Sequence, residues 1–204
     1  MPQPNRELVL DDQPMGERGL LSIDGSLELV LKNTNSDEEP PFEIVGQSGN
    51  HTVVYDLGGG VCGRLHYHEG GISKDYEKHI DLATDGFPVP TVRSTLHSDG
   101  ELAVFAVDLI DGTNTVCEGT KEERFNDYRQ LVEIMMLAKE KQWYPADWGR
   151  DGNLLRENQT GRIVVVDVAE WRRIDSYPTG EQAGILAKLD AKIAQYTNSM
   201  NNYK

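Results

Sequence analysis

Trp143-Tyr144-Pro145-Ala146-Asp147-Trp148-Gly149-Arg150-Asp151-Gly152-Asn153-Leu154-Leu155, followed downstream by Ile163-Val164-Val165-Val166-Asp167, is the stretch on which the reading of this chain turns. Ile163 to Val166 is an unbroken β-branched run, the composition of a buried strand. The Gln159-Thr160-Gly161 turn ahead of it, and the short apolar run from Asn153 to Leu155, complete a hairpin. Asp167 ends the buried strand, where a carboxylate is costly unless it is paired or binds a cation. Asn153 starts the partner strand. An Asp and an Asn at the ends of two paired strands can supply oxygens to Mg²⁺, a hard cation that keeps waters and phosphates in its shell. Asp147, in the loop before Asn153, can orient an attacking hydroxyl or accept its proton. Asp151 competes with it for that role.

Working outward, Lys121 to Gln142 predicts a long amphipathic helix with Tyr128, Leu131, Val132, Met135 and Ala138 on one stripe. A last helix is expected from about Gly180 to Thr197, with Leu186, Leu189, Ile193 and Tyr196 as its apolar face. The first half is strand-rich. Strands are read at Phe42–Val45, Thr52–Leu57, Val61–Tyr67, Thr91–Thr95 and Leu102–Val107, with Gly46 to Asn50 as a flexible turn. Between them, Ser73 to Thr84 reads as a helix with Tyr76, Ile80 and Ala83 on one face. Leu20 to Leu31 reads as a hairpin around Asp24-Gly25, and Asn33 to Pro41 as a linker. The order predicts an α+β protein, β-rich first and helical later.

Composition narrows the partners. The chain has 204 residues, 20 Lys+Arg against 34 Asp+Glu, and a net charge of −14. That balance disfavours nucleic acid and anionic membrane, whose phosphates would be repelled. No apolar run reaches the roughly 18 residues of a membrane span, and Met1 to Arg6 lacks a signal-peptide pattern. A cytoplasmic, monomeric protein is expected. Cys62 and Cys117 have no zinc-type spacing and read as reduced thiols.

The Asp147, Asn153 and Asp167 pattern resembles a protein-kinase catalytic loop followed by its metal-binding strand, with Asp167-Val168-Ala169 in place of Asp-Phe-Gly. The loop differs in carrying one extra residue between Asp147 and Asn153, and Pro145-Ala146 replaces the usual His-Arg. Upstream segments are similar in order. Gly46-Gln47-Ser48-Gly49-Asn50-His51-Thr52-Val53 resembles a glycine-rich loop, with Val53 over a purine. Glu77 corresponds to the helix glutamate. Val104 to Gly112 resembles the fifth strand and hinge, with Val107 as gatekeeper and Asp108, Leu109 and Ile110 offering main-chain groups to adenine. Arg64 stands where kinases place a lysine, and the two are not equivalent at a phosphate site.

The resemblance covers about residues 42–175. With a short stretch after Asp167, the chain is similar to the miniature bacterial type III effector kinases of the OspG-like, NleH-like and HopBF-like kinds. It implies a minimal bilobal protein-kinase-like fold: an extension at 1–41, a β-rich N-lobe at 42–107 and a reduced helical C-lobe at 108–204. It implies ATP and Mg²⁺ as cofactors. Asp147, Arg64 and Glu77 are implied as catalytic; Gly46, Ser48, Gly49, Val53, Arg64, Val107, Asp108 and Leu109 as nucleotide-binding; Asn153 and Asp167 as metal ligands. Serine or threonine of a host protein is the implied acceptor, after export from a bacterial cytoplasm by a specialised system. Arg64 leaves a pseudokinase that works by binding protein as an alternative. An aminoglycoside-type phosphotransferase is another, with Asp147 and Asp151 attracting a cationic substrate.

Overall fold

The computed structural model describes residues 7–8, 21–34, 41–48, 52–66, 71–114, 116–148 and 153–204. In chain order the elements are β1 (Glu7–Leu8), β2 (Leu21–Ser22), α1 (Ile23–Thr34), β3 (Ile44–Ser48), β4 (Thr52–Gly58), β5 (Val61–His66), α2 (Gly71–Thr84), β6 (Val92–Ser98) and β7 (Glu101–Asp108). There follow β8 (Gly112–Thr113), α3 (Lys121–Glu140), β9 (Trp143–Pro145), β10 (Leu154–Glu157), β11 (Ile163–Val165), β12 (Trp171–Arg173) and α4 (Thr179–Asn201). The architecture is α+β. The chain divides into two compact units, Met1–Ile80 with Pro90–Leu109, and Asp81–Val89 with Ile110–Lys204. None of the described helices is long and apolar enough to cross a membrane.

The first unit is built on a five-stranded antiparallel sheet in the order β3-β4-β5-β7-β6. Because side chains alternate along a strand, β5 and β7 divide their residues between two faces. Val61, Leu65, Val104 and Ala106 pack with Val53, Tyr55 and Leu57 into one cluster, and Cys62, Phe105 and Val107 into another. The first cluster is closed by α1 through Ile23, Leu27 and Val30. This corrects the hairpin expected at Asp24-Gly25. Ile23, Leu27 and Val30 recur at helical spacing, and the Gly25 N–H donates to Ser22 Oγ at 3.1 Å, so the Asp-Gly pair lies in a capped first turn.

The second cluster is joined by α2 through Ile72, with Tyr76 and His79 edge-on to the Phe105 ring at 5.6 and 5.5 Å. The buried positions of α2 in this unit are Ile72, Asp75 and His79. The face expected from apolar residues is therefore out of phase: Ile80 and Ala83 are exposed, while two polar residues point inward. His79 turns back to its own helix, its Nδ1 donating to the Asp75 carbonyl at 3.0 Å.

The second unit is organised by α3 and α4. Thr120 caps α3 with a reciprocal box: its Oγ1 accepts from the Glu123 N–H, and the Glu123 carboxylate accepts from the Thr120 N–H. Leu131, Ile134, Met135 and Ala138 of α3 and Ile185 and Leu189 of α4 enter one core with Trp143, Leu154, Ile163, Val165, Val168 and Trp171. Two small sheets pack into that core. One is β11-β10-β8, and the other, not anticipated from the sequence, is β12-β9. Gly112 is required where β8 meets β10, since a Cβ there would lie 2.7 Å from the Arg156 carbonyl oxygen.

Inside this unit lies a carboxylate that the apolar stripe of α3 concealed. Asp127 is 1% exposed. Its Oδ2 accepts from the Cys117 N–H at 2.7 Å and from Arg156 at 3.2 Å, tying the loop before α3 to β10. Burial pushes its carboxyl above the usual carboxylate range, against the Cys117 hydrogen bond and the Arg156 charge that hold it down. A raised native pKa favours the folded state at low pH, and that contribution is lost as pH rises through the native pKa. Relative to Asp127→Asn, the parent should therefore gain stability as pH falls from above that raised value to the ordinary carboxylate range. Urea melts of both proteins across pH 4–7 check this, and a pH-independent difference would contradict it.

Candidate functional site

The second unit brings the three residues of the opening stretch together. Asp147 leaves β9, Asn153 leads into β10, and Asp167 stands between β11 and β12. Two antiparallel pairings fix these positions. In one, β9 runs against β12 with Pro145 opposite Trp171; in the other, β10 runs against β11 with Leu154 opposite Val165. Asn153 joins them. Its Nδ2 donates to Asp147 Oδ2 at 2.7 Å and to the Asp147 carbonyl at 3.2 Å. Its own carbonyl accepts from the Val166 N–H at 3.0 Å and, more weakly, from the Asp167 N–H at 3.5 Å.

The flanking turns are tied as firmly. Asp167 Oδ1 accepts from the Ala169 N–H at 3.0 Å, a side-chain turn that orients the carboxylate. The Ala146 N–H donates to the Glu170 carbonyl at 3.2 Å, linking the residue before Asp147 to the segment after Asp167. Asn153 thus links two half-buried acids, Asp147 through its carboxylate and Asp167 through its backbone N–H. With Nδ2 committed to Asp147, the amide oxygen of Asn153 is the atom left for a cation. An all-oxygen set with Asp167 is the donor chemistry that suits Mg²⁺. Asp151 lies outside the described residues.

The first unit gives a more mixed result. Arg64 lies on β5, the middle strand, opposite Val54 and Phe105, and is 4% exposed. It shares its face with Cys62, whose thiol burial pushes up to about 11 while the Arg64 charge pulls it down. Val107 is buried on that same face. Val53 is not: it packs in the cluster under α1, and Val54 is the β4 residue on the Arg64 side. The purine-covering role expected of Val53 is out of phase by one residue.

Glu77 is exposed, because the inward-facing acid of α2 is Asp75, 5% exposed. Gly46 and Ser48 lie within β3, paired with Val54 and Thr52, not in a loop. A Cβ on Gly46 would meet Val54 at an ordinary 3.6 Å, so no close approach demands glycine there. Gly49 and His51 lie outside the described residues.

At the end of β7, the Leu109 N–H donates to the Gly60 carbonyl and the Asp108 N–H to the Thr91 carbonyl, both at 3.0 Å. Those two amides are already committed, which removes Leu109 and Asp108 as donors to adenine. The Asp108 carboxylate is held by Arg93 in a two-pronged pair, with Nε at 2.5 Å and a terminal nitrogen at 2.8 Å. The sequence reading missed Asp75 and Asn153's link to Asp147. The first was hidden because a polar residue occupied a helix's inner face; the second follows only once two hairpins are placed side by side.

No family model matches the sequence, and no curated protein matches it. Among solved structures, the fold is similar to the Rio2 kinase of Chaetomium thermophilum, described as an ADP/Mg²⁺-phosphoaspartate complex. The TM-score is 0.53 at 12% identity, over 90% of this chain and 63% of that one. It is also similar to the autoinhibited serine kinase domain of the giant muscle protein titin, with a TM-score of 0.50 at 14% identity, over 64% of this chain and 44% of that one. The chain spans less than two thirds of the length of either. At such identity the likeness establishes the fold, and that fold is protein-kinase-like.

Proposed function

We propose that this chain is an ATP- and Mg²⁺-dependent protein kinase that phosphorylates serine or threonine, of the kind bacteria deliver into a eukaryotic host cell. The observation that carries the catalytic part is the Asp147–Asn153–Asp167 arrangement. The kinase-like fold supports a kinase or related phosphotransferase. The export and host roles rest on the sequence resemblance alone.

In the second unit, Asn153 and Asp167 would hold Mg²⁺, which when bound draws phosphate oxygens into place and offsets their charge. Asp147, oriented by the Asn153 amide, positions the acceptor hydroxyl and takes its proton as that oxygen attacks the terminal phosphorus of ATP. The bond to the bridging oxygen breaks and ADP leaves.

In the first unit, the proposal assigns Asp75 in place of Glu77 as the acid that orients Arg64. Both are buried in the first unit, Arg64 on β5 and Asp75 on α2. The pairing sets a base longer than lysine with an acid shorter than glutamate. A second reading, a pseudokinase that binds protein, is favoured by Arg64 itself and by the strand conformation of Gly46 and Ser48.

The test is incubation with γ-labelled ATP and Mg²⁺, alone and with a eukaryotic lysate, beside Asp167→Ala. Label on serine or threonine, reduced roughly 100-fold or more in the variant, is the expected result. Absence of label in the parent would replace the kinase reading with the pseudokinase. For the first unit, Arg64→Lys should lower transfer about tenfold by breaking the length match, and adding Asp75→Glu should recover it. Failure of the second change to recover activity would remove Asp75 from the site.

A further inference from the structure

Trp148 follows Asp147 directly, and its indole is fixed from two sides within the second unit. Its Nε1–H donates to the Tyr196 hydroxyl of α4 at 2.7 Å. Its ring meets Trp171 edge-on at 5.9 Å. Trp171 opens β12 just after the Asp167 turn, and its N–H donates to the Val168 carbonyl at 3.0 Å. The indole therefore touches the segments that carry both carboxylates, and its one hydrogen bond runs to a helix distant in sequence.

Tyr196 is held in turn. Its ring lies 6.1 Å from Tyr128 of α3, Tyr128 stacks at 5.8 Å on Tyr203, and the Arg124 guanidinium sits over Tyr203. The Lys192 ammonium lies 5.3 Å from the Tyr196 ring centre. Burial pushes the Tyr196 hydroxyl up to about 12, so it stays a neutral acceptor for the indole across the working pH range.

From this chain of contacts we infer that Tyr196 is a positioning residue: through Trp148, α4 sets where the Asp147 carboxylate stands relative to Asn153 and Asp167. The inference rests on the role proposed above for Asp147. Tyr196 touches none of the three, so it acts only through the indole. The bond is part-buried, and it constrains the indole because Nε1–H is the ring's one donor. A small displacement of a catalytic group costs turnover rather than affinity.

The test is Tyr196→Phe, which removes one oxygen and keeps the ring. Turnover should fall roughly 3- to 10-fold with the KM for ATP unchanged within about twofold, and the thermal midpoint should stay within a few degrees of the parent. In ¹⁵N-labelled protein, the Trp148 indole and the Asn153 side-chain amide signals should both shift. The amide reports Asp147 directly and is readable whether or not the protein transfers phosphate. If the parent is inactive but the Asn153 amide shifts, the positioning stands and the kinase reading falls. If the indole signal shifts while the Asn153 amide stays in place, or if ATP affinity and turnover fall together, the inference is overturned.

Discussion

The side chain and backbone of Asn153 carry the functional region of the second unit. One amide group holds the Asp147 carboxylate, and one carbonyl accepts from the two residues that follow β11, the second of them Asp167. Removing either function would separate residues held by different strand pairings. The surrounding structure exists to make that one residue possible. The β9–β12 and β10–β11 pairings bring three loops to the same place, and the Trp143, Val168 and Trp171 core holds the pairings rigid. Tight backbone pairing on both sides is what lets half-buried carboxylates stay in fixed positions at a tolerable cost.

In the first unit the governing constraint is strand phase. Every side chain of the sheet belongs either to the α1 face or to the α2 face, and a shift of one residue exchanges them all. Arg64 and Val107 fall on the α2 face, where Asp75 and His79 also point inward. That makes the α2 face chemically polar at its centre, while the described buried residues of the α1 face are apolar apart from Ser26 and the Tyr55 hydroxyl. The polar face is where a buried guanidinium can be tolerated.

How much of this was legible in the sequence depends on the kind of signal each element carries. The β-branched run at Ile163 to Val166 and the broad stripe of α3 are strong periodic signals, and both elements stand where expected. Asp167 and Asn153 stand out in the sequence because a carboxylate after a buried strand is physically conspicuous. What failed was phase. Ile80 drew the predicted face of α2 to the wrong side because Asp75 and His79, which are buried, look like surface residues in sequence. Val53 and Val54 are chemically identical, so only the ladder decides between them. Asp24-Gly25 carries a turn signal that the helical spacing of Ile23, Leu27 and Val30 overrides. Asp127 was invisible because its partners, Cys117 and Arg156, lie on other elements.

The central claim is that a divalent cation bound with nucleotide sits between Asn153 and Asp167. The most direct measurement replaces Mg²⁺ by trace Mn²⁺ in ¹⁵N-labelled protein saturated with ADP, and reads paramagnetic broadening. The account predicts loss of the Asn153 side-chain amide and of the Asp167, Val168 and Ala169 backbone signals, reversed by chelation and absent in Asp167→Ala. Sharp signals at those residues under nucleotide saturation, or broadening centred on another acidic segment such as Glu122 and Glu123, would contradict it.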